Sequence, residues 1–118
     1  MALRIETVTV DALDPTSLAG FWSAAFGWEQ GSDEDGDVWV EPGPEQASAP
    51  LILFVAVGEH KAGKNRIHFD LAPDDQDAEV ERLEGLGATR ASIGQTGEED
   101  WVVMADPEGN EFCVLSNR

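Results

Sequence analysis

Three short strings recur in the same order about sixty residues apart: Arg4-Ile5 with Arg66-Ile67, Phe26-Gly27 with Leu86-Gly87, and Asp37-Val38-Trp39-Val40 with Asp100-Trp101-Val102-Val103. A chain that repeats one pattern at this period builds two copies of one supersecondary unit, because a single copy leaves a sheet face bare. In the first copy, the β-branched run Arg4 to Val10 predicts a strand, which Asp14-Pro15 stops. Asp14 or Thr16 then caps a helix whose apolar Leu18, Phe21, Trp22, Ala25 and Phe26 fall at spacings of three and four, and Gly27 closes it. The acidic run Gln30 to Asp37 turns into Val38-Trp39-Val40, and a proline-rich loop from Pro42 to Pro50 leads to the apolar run Leu51 to Val57. After a polar link, Gly58 to Lys64, the order restarts. It runs through a strand over Arg66 to Leu71, a helix over Asp74 to Leu86 ended by Gly87, and the strands Arg90 to Ile93, Trp101 to Met104 and Phe112 to Leu115. The pattern is βαβββ twice, an α+β fold, with modules over 1–58 and 64–118 of one domain.

Seven Lys plus Arg stand against 24 Asp plus Glu, a formal net charge of −17. A phosphate backbone or an anionic membrane surface meets the wrong sign, so neither nucleic acid nor membrane is an expected partner. No stretch has the apolar length of a membrane span, and the acidic residue among Met1 to Glu6 does not suit a signal peptide. Cys113 is the single cysteine and cannot form an internal disulfide, which fits a reducing cytoplasm. The acidic stretches Asp33 to Asp37 and Glu98-Glu99-Asp100 lack the alternating donor spacing of a calcium loop and read as solvated turns.

Against this background the chain resembles the vicinal oxygen chelate superfamily, in particular its glyoxalase-like and bleomycin-resistance-like branch. The resemblance rests on Asp14-Pro15 leading into Leu18-Ala19-Gly20-Phe21-Trp22 and Phe26-Gly27-Trp28, on Asn65-Arg66-Ile67-His68-Phe69-Asp70-Leu71, and on Trp101 to Cys113 with its Asp106-Pro107-Glu108-Gly109-Asn110 turn. It implies paired βαβββ modules forming a half-barrel around a ligand cup, the glyoxalase/bleomycin-resistance/dioxygenase fold, often completed across a homodimer. It also implies a set of positions where metal-dependent members hold a divalent ion. In this sequence those positions are Thr7, about Val55, His68 and Cys113. Only His68 is a good ligand, and two donors are too few to retain an ion against water. The expectation is therefore no tightly held metal and no cofactor, with a weakly held divalent ion as the alternative.

His68 and Asp70 lie two apart on a predicted strand and so share a face, where a carboxylate can orient the imidazole for proton transfer. They are the candidate catalytic pair. The competing reading is a hydrogen-bonded histidine at a strand end. Cys113 reads as a small packing residue or as a nucleophile, and His60 in the polar link as a solvated side chain. Trp39 and Trp101 occupy equivalent positions in the repeat, where flat rings either wall a ligand cup or fill the core. The cup is expected to be lined by Thr7, Thr9, Trp39, Leu53, Val55, His68, Asp70, Trp101 and Cys113. The expected function is binding of a small organic molecule by a homodimer. The alternatives are a lyase or isomerase of the same superfamily and an interaction module whose cup is filled by its own side chains.

Overall fold

The computed structural model describes residues 3–92 and 94–118 and contains two compact units, Met1–His60 and Lys61–Arg118. In the first unit, β1 (Thr7–Ala12) is followed by α1 (Pro15–Phe26), β2 (Glu29–Ser32), β3 (Val38–Glu41) and β4 (Leu51–Ala56). The strands form a four-stranded open sheet in the order β1-β4-β3-β2, with β1 parallel to β4 and the other pairs antiparallel. Asp14 caps α1 by accepting from the Ser17 N–H at 3.1 Å, with Pro15 in the first turn. Gly27 ends the helix in the left-handed region at φ 72°, a conformation that costs other residues a steric penalty. One face of α1 buries Leu18, Ala19, Phe21 and Trp22 against the sheet side carrying Val38, Val40, Ile52 and Phe54.

The second unit repeats this order with shorter strands: β5 (Phe69–Leu71), α2 (Gln76–Leu86), β6 (Thr89–Arg90), β7 (Val102–Ala105) and β8 (Glu111–Val114). Its open sheet runs β5-β8-β7-β6, again with the first and last strands parallel. Asp75 caps α2 by accepting from the Ala78 N–H at 3.1 Å, and the helix buries only Val80 and Leu83. The Asp106 to Asn110 turn closes on itself. Buried Asp106 accepts at Oδ1 from the Glu108 and Asn110 N–H groups, both at 2.9 Å, while Gly109 supplies the positive φ of 87°.

The strand boundaries differ from the sequence reading at informative places. β1 starts at Thr7 instead of Arg4 because its ladder begins where β4 does, with Thr7 opposite Leu51. β5 starts at Phe69 instead of Arg66, since β8 offers partners only from Phe112 onward. His68 thus sits on the lead-in to the strand. Ile93, the end of one predicted strand, lies outside the described residues.

Candidate functional site

The register of each sheet defines a row of side chains on the face turned away from its helix. In the first sheet Thr9 pairs with Leu53, and Leu53 with Trp39. Trp39 in turn faces Gly31, where a Cβ would come within 2.4 Å of the indole Nε1, so the missing side chain makes room for the ring. Thr7 and Val55 project from the same face, two residues from Thr9 and Leu53. In the second sheet the corresponding row is Asp70, Cys113 and Val103. The counterpart of Cys113 is thus Leu53, whereas the sequence reading put it near Val55. The counterpart of Trp39 is Val103, so the repeat equivalence of Trp39 with Trp101 is corrected. Counting residues between repeats could not detect the slip, because the loops before β3 and β7 differ in length while hydrogen-bond register does not.

Asp70 and Cys113 are direct cross-strand neighbours, and His68 reaches the same place from one residue before β5. His68 Nε2 lies 3.1 Å from Asp70 Oδ1. One ligating atom each from His68, Asp70 and Cys113 lies within 4.8 Å of the other two. His68 and Asp70 are 40% and 53% exposed in their side chains, whereas Cys113 is buried. Burial pushes the Cys113 thiol pKa up, and the neighbouring Asp70 charge, together with the thiol's hydrogen bond to that carboxylate, pushes it the same way. In the apo protein the group is a hydrogen-bonding thiol, and a free thiolate nucleophile is disfavoured.

These three residues line an open cavity of about 600 Å³ within the second unit, walled by Trp101, Val103, Leu115, Arg118 and the 94–100 loop. Trp101 precedes β7 and is 43% exposed. The loop is held by its own polar groups. The Glu99 carboxylate accepts from the Thr96 N–H at 2.7 Å and the Gly97 N–H at 2.9 Å, bonds that hold it below the usual carboxylate range. Gln76, at the start of α2, donates from Nε2 to the carbonyls of Asp100 (2.7 Å), Val114 and Leu115 (both 3.1 Å). It thereby ties the loop to the end of β8. Sequence reasoning missed Gln76, Gln95 and Arg118, which carry no motif and acquire their roles only through residues 20 or more positions away or through the wall they form.

His60 in the polar link is exposed, as expected, but the link is anchored at Lys61 and the adjoining Asn65. Lys61 Nζ approaches Oε2 of buried Glu111 at 2.7 Å, and the Asn65 N–H donates to Oε1 at 3.0 Å while Asn65 Nδ2 donates to the Glu111 carbonyl. Burial alone would raise the Glu111 pKa, but the Lys61 ammonium and the Asn65 N–H outweigh it and hold the carboxylate below its usual range. The link that delivers His68 is therefore anchored on β8, two residues from Cys113. The acidic turn at Asp33 is also self-capped, its Oδ1 accepting from the Asp35 and Asp37 N–H groups.

A family model described as a glyoxalase-like domain matches residues 7–115. The chain belongs to the glyoxalase-like domain family. Its fold recurs in a glyoxalase/bleomycin resistance/dioxygenase family enzyme from Burkholderia phytofirmans PsJN, at 19% identity and TM-score 0.71, covering 95% of this chain and 97% of that one. It recurs in the fosfomycin resistance protein FosX of Listeria monocytogenes, solved with Mn(II) and a dihydroxypropylphosphonic acid, at 15% identity and TM-score 0.70, covering 100% and 95%. TnmS3, an antibiotic binding protein from Streptomyces sp. CB03234, matches at 20% identity and TM-score 0.66, covering 100% and 99%. Identities this low establish the fold. No curated protein matches the chain.

Proposed function

We propose that this glyoxalase-like protein binds a small organic molecule in the cavity of its second unit, with His68 and Asp70 as the polar centre and Trp101 as a stacking wall. The observation that carries the reading is the convergence of an imidazole, a carboxylate and a thiol on one side of an open, partly apolar cavity. Structural neighbours whose names record antibiotic binding and fosfomycin resistance fit the same class of ligand. On the first sheet, Thr7, Thr9, Trp39, Leu53 and Val55 offer hydroxyls beside apolar surface, a second lining for the same kind of ligand. The protein acts as a homodimer; exposed Leu3, Ile5 and Ile67 are apolar surface that a twofold partner would cover. Sedimentation at micromolar concentration tests this, and a clean monomer refutes it.

The His68–Asp70 pair favours a second reading, proton transfer in a lyase or isomerase. With Nε2–H donating to Asp70, a neutral ring keeps the Nδ1 lone pair for a substrate proton. The donor set also fits the metal that the family implies: His68, Asp70 and Cys113 would hold it, matching the three protein ligands of catalytic zinc sites. Such an ion would supply Lewis-acid polarisation of a bound oxygen.

The ligand reading is tested by a screen of planar, oxygen-rich compounds in the presence of EDTA, followed by tryptophan fluorescence and thermal shift. His68→Ala should lose most of the ligand-induced stabilisation. A variant that keeps the full ligand shift but melts several degrees lower by itself makes His68 a structural residue and sinks the reading.

A further inference from the structure

We infer that the cavity of the second unit selects a small organic cation, an ammonium group carried beside a flat ring, with Asp70 and Asp100 meeting the charge and Trp101 stacking on the ring. The inference rests on the ligand reading above and adds the sign of the ligand's charge.

The tryptophans single out the place. Trp22 stacks on Phe26 and meets Phe21 edge-on, Trp28 stacks on Phe26, and Trp39 donates from Nε1 to Glu41 Oε1 at 3.4 Å. Trp101 differs from all three. It is 43% exposed and makes no ring contact or hydrogen bond among the described residues. Val103 and Leu115 continue the wall that it forms, so an apolar surface for a flat ring stands ready in a cavity of about 600 Å³. The indole face is also the best of the aromatic faces for attracting a cation.

The charges in the lining set the sign. Three carboxylates, Asp70, Glu99 and Asp100, stand against one guanidinium, Arg118. Glu99 is turned onto its own loop by the Thr96 and Gly97 N–H groups, and Arg118 donates from Nη1 to the Ser116 carbonyl at 2.8 Å and to its Oγ at 2.9 Å. Asp70 and Asp100 remain. Among the described residues, neither pairs with a lysine or an arginine. Asp70 accepts from the Cys113 thiol and stands 3.1 Å from His68 Nε2, which leaves about half of a carboxylate's roughly four lone-pair sites open on a side chain that is 53% exposed. An ammonium N–H fits there as a charge-assisted donor. Asp100 engages Gln76 through its backbone carbonyl, and its exposed carboxylate is next to Trp101 in the chain. An anion meets the wrong sign from both carboxylates and from a chain of formal net charge −17, whose field draws cations in.

The test uses the full chain in EDTA and three probes that share one ring and differ in charge at neutral pH: naphthylmethylamine, naphthalenemethanol and naphthoate. Binding is followed by the indole N–H signals of isotope-labelled protein in NMR, the Trp101 signal being the one that Trp101→Leu removes. The amine should move that signal and bind about tenfold tighter than the alcohol, with naphthoate weakest. Asp70→Asn should lower the affinity for the amine about tenfold and leave that for the alcohol unchanged. Trp101→Leu should weaken the amine about fivefold, more than it weakens the alcohol. Glu81→Gln, an exposed acid of α2 outside the cavity, should change neither. The probe series on the wild type needs no variant, so it decides the sign should a substitution unfold the chain. An amine that binds no tighter than the alcohol or naphthoate overturns the charge assignment alone and leaves the ligand reading standing. Equal losses in Asp70→Asn and Glu81→Gln also overturn it, because the preference then belongs to the overall charge. A Trp101 signal that none of the three probes moves overturns the ligand reading as well.

Discussion

The rows Thr9-Leu53-Trp39 and Asp70-Cys113-Val103 occupy the same places in two sheets of the same topology, yet one carries hydroxyl, aliphatic and aromatic groups and the other carboxylate, thiol and aliphatic groups. The helices differ in the opposite sense. α1 buries Leu18, Phe21 and Trp22 together with the small Ala19, with Trp22 stacked on Phe26 and edge-on to Phe21. α2 buries two, and its remaining surface is largely acidic. The first unit has the larger helix–sheet core and the second has the chemistry. Duplication permits this division, because a fold whose packing is secured in one copy tolerates polar, reactive groups in the other.

The largest effect that would break the comparison is in the cores. Trp22→Ala should cost about 4 kcal/mol by removing a ring that touches two other aromatics, whereas Leu83→Ala should cost about 3 kcal/mol. Chemical denaturation of both variants measures this, and a larger loss at Leu83 would reverse the assignment of the main core. Next comes the anchor of the link. Glu111→Gln should cost about 2 kcal/mol, less than orphaning a fully buried charge because the Lys61 side chain is 24% exposed. The sign with pH follows from the lowered Glu111 pKa. Its contribution is present above the ordinary carboxylate value and is lost as pH falls through the depressed one, so the wild type should lose more stability in acid than Glu111→Gln does. Parallel acid titrations by circular dichroism would refute this if the two curves keep a constant offset.

The comparison sharpens at the site itself. His68→Ala should weaken ligand binding by about 1 to 3 kcal/mol with little change in melting temperature, since the side chain is 40% exposed. The equivalent change in the first unit, Thr7→Ala, should shift binding by no more than about 0.5 kcal/mol, because an exposed hydroxyl that water can replace contributes little. Isothermal calorimetry on both variants checks the pair, and equal losses would refute the assignment of the ligand to the second unit.

The glycine and aspartate signals were legible because they act locally. Asp14 caps its helix with its own carboxylate, and Gly27, Gly87 and Gly109 adopt the positive φ that their turns require, whereas the cap at Asp75, inside the helix predicted from Asp74, emerges only in the structure. His68 and Asp70 were legible as a pair for the same reason, since a spacing of two places side chains on one face whatever the rest of the chain does. The counterpart of Trp39 was not legible, because only hydrogen-bond register shows that Val103, and not Trp101, stands opposite Cys113.

The sequence by itself determined that the chain is a βαβββ pattern repeated, where its helices end, and that it carries a net charge of −17, because periodicity, caps and net charge are local or additive properties. Tertiary structure alone decided that Asp70 meets Cys113, that Lys61 is drawn from a polar link onto Glu111, and that Gln76 binds a loop to the end of β8. These contacts span 24 to 50 residues of chain. They exist because strand pairing brings distant backbone into register, which no spacing rule along the sequence encodes.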